Sequence, residues 1–124
     1  MFVGIARVVL RIPESRSLKD RRQVVRSFKG RLAAKLNVSV AEVGDVAQHQ
    51  TATLGIVTVS RESGACRRVL GDMRQMASTL PDALIVDIKG EVLSMGEGGS
   101  QMRGGIELLL SDPEGWYFED KEKP

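Results

Sequence analysis

The spacing of apolar residues along this chain changes from every second position to every third or fourth and back again, and the order of those changes constrains the fold more than any other feature. Residues 2–12 are rich in aliphatic and β-branched types and read as a strand. Phe2, Gly4, Ala6, Val8, Leu10 and Ile12 lie on its core side, with Val3, Ile5, Val9 and two arginines, Arg7 and Arg11, on the other. Pro13 to Arg16 interrupts the strand. Ser17 followed by Asp20 is a capping-box pattern with Asp in place of Glu or Gln, so a helix starts near Leu18. Leu18, Val25, Phe28, Leu32 and Leu36 then fall on one stripe at about 100° per residue, and Asn37 ends the run. Val38–Val43 and Ala52–Ser60 read as a hairpin joined by a polar loop, Gly44 to Gln50, too long to reveal its register.

A second helix follows. Ser60 and Glu62 offer it a cap and a first-turn acid, and Cys66, Val69, Met73, Met76, Ala77 and Leu80 give it one apolar face before Pro81. Ala83–Leu93 supplies a fourth strand in which Leu84, Val86 and Ile88 alternate with Ile85, Asp87, Lys89 and Glu91. The order βαββαβ predicts an α+β, ferredoxin-like sandwich, a four-stranded antiparallel sheet with both helices on one face. That domain covers residues 1–94, a Gly-rich linker covers 95–105, and an acidic, aromatic tail covers 106–124, expected to be flexible. At 124 residues, 42% hydrophobic and 27% charged, the chain has room for one core and falls outside the disordered, collagen-like and membrane classes.

The formal charge of +2 conceals an asymmetry. Residues 1–37 hold ten Lys and Arg against two Asp and Glu, whereas residues 38–94 sum to −2 and residues 95–124 to −4. On a helical wheel Lys19, Arg22, Arg26 and Lys29 share an arc of about 80° clear of the apolar stripe, and Arg16 in the preceding loop reaches the same end. Such a face tracks phosphates, so RNA or a ribosomal particle is the expected partner, bound with little base specificity. The aromatic signature of an RNA recognition motif and the Gly-x-x-Gly loop of a KH domain are both absent. A second expectation is a homodimer through the apolar outer sheet face, Val3, Ile5 and Val9.

No catalytic residue, cofactor or metal is expected: one cysteine, Cys66, and one histidine, His49, do not make a metal site. The absence of disulfide partners and of a signal-peptide pattern points to a reducing, cytoplasmic setting with no membrane span. A hydrolase in the manner of acylphosphatases would pair Arg16 with Asn37, but the phosphate loop is missing around Arg16. The acidic, aromatic tail is a candidate to fold back on the basic helix and compete with a polyanion.

The segments Phe2-Val-Gly-Ile, Leu10-Arg-Ile-Pro, Ser17-Leu-Lys-Asp-Arg-Arg-Gln-Val-Val-Arg-Ser and Asn37-Val-Ser-Val-Ala-Glu-Val-Gly-Asp, in that order, resemble the bacterial YlxP-like family over roughly residues 1–94. The resemblance implies a small cytoplasmic ferredoxin-like protein without established catalytic activity. Members are commonly encoded beside translation-initiation and ribosome-maturation genes, which implies a ribosome-linked, non-enzymatic role. The loop Val46 to Gln50 lacks the aromatic that members often carry there.

Overall fold

A computed structural model describes residues 1–13 and 15–96. Its elements are β1 (Phe2–Arg11), α1 (Leu18–Lys35), β2 (Ser39–Glu42), β3 (Thr51–Ser60), α2 (Ser63–Ser78) and β4 (Leu84–Ser94). The expected βαββαβ order is the observed one, and the strands lie in the order β2-β3-β1-β4, each pair antiparallel. Most of the expected linker and the whole tail, residues 97–124, lie outside the described residues.

The register explains where the core sits. β1 pairs with β3 so that Ala6 faces Ile56, Val8 faces Leu54 and Leu10 faces Ala52. Directly opposed residues in a sheet share a face, so these six pack together under the helices. Val25, Phe28 and Leu32 close that face from α1, and Cys66, Met73 and Ala77 close it from α2. Burying these side chains is the main favourable contribution to folding, at about 1.5 to 3 kcal/mol for each large aliphatic or aromatic one. The hairpin register that the sequence left open places Val40 against Ile56. Its loop starts with an Asx turn, in which the Ala47 N–H donates to Asp45 Oδ1 at 2.9 Å.

Three local expectations change. Leu18 is not core: it is 46% exposed, and the stripe position near Val25 and Phe28 is taken by Arg21, which is buried. Ser60 does not cap α2; its Oγ accepts from the Glu62 N–H at 3.1 Å, making a turn ahead of the helix, and Glu62 becomes the N-cap with no side-chain bond. Strand β4 does not keep one alternation. Its pairing with β1 shifts between Val9, opposite Asp87, and Leu10, opposite Ile85, which leaves Val86 as an extra residue. The bulge turns Ile85 as well as Ile88 toward the core and leaves Leu84 and Val86 exposed.

Candidate nucleic-acid interface

The start of α1 is built by local hydrogen bonds. The Asp20 N–H donates to Ser17 Oγ at 3.2 Å, and Asp20 Oδ2 accepts from the Arg16 N–H at 3.0 Å. This is a capping box whose return bond lands one residue early. Asp20 is the one acidic residue of α1. The preceding loop is anchored by the buried Ser15, whose Oγ donates to the Ser17 carbonyl at 3.0 Å. Across the sheet end, Nδ1 of His49 lies 3.2 Å from the Ser15 carbonyl oxygen, so the β2–β3 loop is tied to the same point.

Along α1 the basic residues divide into two kinds. Arg21 points inward: its Nε donates to the Thr51 carbonyl at 2.8 Å, and its guanidinium pairs with the Glu42 carboxylate at the end of β2. Arg22, Arg26 and Lys29 instead line a groove of about 710 Å³ between α1 and β2, whose apolar lining includes Leu18, Val25, Val40 and Val46. Lys19 is exposed on the same helix but does not line the groove, and Arg16 is exposed in the loop before it. Among the described residues the ion pairs are Arg7 with Asp87 at 3.3 Å and Arg21 with Glu42. Lys19, Arg22, Arg26 and Lys29 therefore have no ion-pair partner among the described residues.

The groove is the part of the site that sequence reasoning missed. The available signal was Arg21, a cation set among Val25, Phe28 and Leu32 on an otherwise apolar stripe. A buried arginine requires a nearby acceptor, and Glu42 is that acceptor.

The outer sheet face is the second surface. Val3, Ile5 and Val9 sit there half-buried, next to Val57 and Val59, which are 37% and 52% exposed. The Arg7–Asp87 pair crosses the same face. Arg16 and Asn37 flank opposite ends of α1, about 27 Å apart at 1.5 Å per helical residue, so the structure does not bring the acylphosphatase-like pair together. The Asn37 carbonyl is occupied as an acceptor for Thr58 Oγ1 at 2.7 Å. No cluster of three or more metal-ligating side chains occurs among the described residues, and no helix there is long and apolar enough to cross a membrane.

The model of the family described as "Protein of unknown function (DUF503)" matches residues 3–89. The chain belongs to that family. The matched DUF503 segment spans α1 and the groove entirely and stops inside β4. No curated protein is similar to this DUF503 chain. Among solved structures it is similar to the de novo designed protein Foldit4, at 8% identity and a TM-score of 0.47, over 76% of this chain and 98% of that one. It is also similar to SnoaB, a cofactor-independent oxygenase from Streptomyces nogalater, at 10% identity and a TM-score of 0.46, over 84% and 98%. A third is the de novo designed protein LFR1 1 with a ferredoxin fold, at 11% identity and a TM-score of 0.45, over 83% and 95%.

Proposed function

We propose that this chain is a non-enzymatic accessory protein that binds RNA or a ribosomal particle through α1, with Arg22, Arg26 and Lys29 as the central contacts and Arg16 and Lys19 at the flank. The observation that supports this reading most is the line of cations without ion-pair partners among the described residues, Lys19, Arg22 and Arg26 exposed and Lys29 half-buried, on a helix whose one buried cation, Arg21, is already neutralised. A cation left in solvent along a rigid helix meets phosphates without paying to break an existing pair. The absence of a base-reading motif fits electrostatic binding to structured RNA with little sequence preference. The YlxP-like resemblance and its translation-linked gene neighbourhoods favour a role in ribosome maturation or translation, in the cytoplasm.

Co-sedimentation with ribosomal subunits tests the reading. The wild-type chain is expected to travel with a subunit at low salt, and the variant with Lys19, Arg22, Arg26 and Lys29 changed to Glu is expected to stay in the supernatant. Equal sedimentation of the two defeats it.

A second reading is favoured by the outer sheet face, where Val57 and Val59 extend the apolar surface of Val3 and Ile5 across two paired strands. We propose that this face pairs with a second copy. Light scattering at micromolar protein is expected to report a dimer, and Val59→Lys a monomer; a monomeric wild type removes this reading.

A further inference from the structure

The groove between α1 and β2 has two chemical properties that one ordinary phosphate backbone does not satisfy together. Its rim is cationic, Arg22, Arg26 and Lys29, and its lining includes apolar side chains, of which Leu18 is 46% and Val46 58% exposed. Glu42, the one carboxylate lining it, is already engaged by Arg21. A ligand that fills it needs apolar bulk between anionic groups.

The chain carries such a segment. Residues 112–120 contain three consecutive aromatics, Trp116, Tyr117 and Phe118, with Asp112 and Glu114 before them, Glu119 and Asp120 after them, and no Lys or Arg. We propose that the α1–β2 groove is the docking site of the chain's own residues 112–120, with the aromatics against the apolar lining and the carboxylates on the arginine rim.

The connection is long enough. The described chain ends at Gly96, next to Met1 at one end of the sheet, where the Met95 N–H donates to the Met1 carbonyl at 2.9 Å. Trp116 is the twentieth residue after Gly96. A connection of that length has a root-mean-square span of roughly 25 Å and a maximum near 66 Å. Crossing the three strand spacings from β4 to β2 and running along the sheet from Met1 to Glu42, whose register is that of Val8, takes about 27 Å. A tether of this kind presents the segment to the groove at roughly millimolar effective concentration, so a weak intrinsic contact is enough to hold it. Its further consequence, that the docked segment covers Arg22 and Arg26 and competes with RNA, rests on the function proposed above.

Trp116 is the chain's single tryptophan, so its fluorescence reports on the segment alone. Acrylamide quenching of the full-length chain at low salt is compared with that of a synthetic peptide of residues 106–124. Docking predicts a quenching constant several-fold below the peptide's and a blue-shifted emission, both independent of protein concentration. Arg22→Glu with Arg26→Glu is expected to raise quenching to the peptide's value while the far-ultraviolet circular dichroism stays unchanged. Val46→Glu, at an exposed loop position, is expected to do the same without touching the helix. Wild-type quenching equal to the peptide's overturns the proposal, as does a quenching constant indifferent to both variants. Protection that disappears on dilution also overturns it, because a second copy is then the occupant. No RNA is present in this measurement, so docking and the RNA reading fail separately.

Discussion

The guanidinium of Arg21 closes on the carboxylate of Glu42, and this pair joins the middle of the first helical turns to the end of the edge strand β2. β2 is four residues long and bonds to β3 on one side only, so it has little backbone pairing to hold it. Arg21 adds a side-chain tie to Glu42 in β2 and another to the carbonyl of Thr51, the first residue of β3. One wall of the groove depends on that tie.

Removing one partner leaves the other charged and largely dehydrated. Glu42→Ala strands a guanidinium whose side chain is 5% exposed, and is expected to cost about 2 to 4 kcal/mol in urea unfolding. Arg21→Met is expected to cost less, because its apolar stem fits the stripe of Val25, Phe28 and Leu32 and the abandoned carboxylate is nearer solvent. Equal losses for the two variants contradict this account.

Gly4 lies where a helix presses on the sheet, whereas Gly71 faces open space. A Cβ at Gly4 meets Thr58 Cγ2 at 3.0 Å and Cys66 Cβ at 3.3 Å, so α2 approaches β1 as closely as it does because position 4 has no side chain. Gly4→Val is expected to destabilise by roughly 1 to 3 kcal/mol through overpacking. Gly71, inside α2, has nothing within 4 Å of its missing Cβ. Gly71→Ala is expected to stabilise by about 0.5 to 1 kcal/mol, measured as an increase in the urea midpoint. A loss of stability there removes the open-space reading.

The βαββαβ order and the inward face of β1 were legible because each rests on a period within a single segment. What was not legible depends on pairing between distant segments. Nothing within Leu84-Ile-Val-Asp-Ile tells a regular strand from a bulged one, since all but one of these residues are apolar and either phase looks plausible. The phase is set by Leu10 meeting Ile85 while Val9 meets Asp87. The groove was hidden for the same reason. The basic arc of α1 was visible on the wheel, but its apolar neighbours Val40 and Val46 belong to the hairpin, whose register the sequence did not reveal.

The bulge makes its own prediction. Val86 is 61% exposed, so Val86→Lys is expected to shift stability by no more than about 0.5 kcal/mol. Ile85→Ala and Ile88→Ala, which remove core contacts, are each expected to cost roughly 1 to 3 kcal/mol. An unbroken alternation places Val86 and Ile88 together and Ile85 opposite, so a costly Val86→Lys beside a cheap Ile85→Ala rules out the bulge.

Salt dependence distinguishes contacts made by the α1 face from the effect of overall charge. Each phosphate neutralised on a single strand releases about 0.7 counterion, so the slope of log affinity against log salt counts the contacts. Arg22, Arg26 and Lys29 acting alone predict a slope near −2, and recruitment of Lys19 and Arg16 a slope near −3.5. Arg26→Gln removes a contact without reversing charge and is expected to make the slope less negative by about 0.7. Arg7 lies on the outer sheet face and is engaged by Asp87, so Arg7→Gln is expected to leave the slope unchanged. Fluorescence-anisotropy titrations of a labelled single-stranded RNA across a salt series read all of these values. A slope that falls equally for Arg7→Gln and Arg26→Gln shows that net charge, and not the α1 face, governs binding.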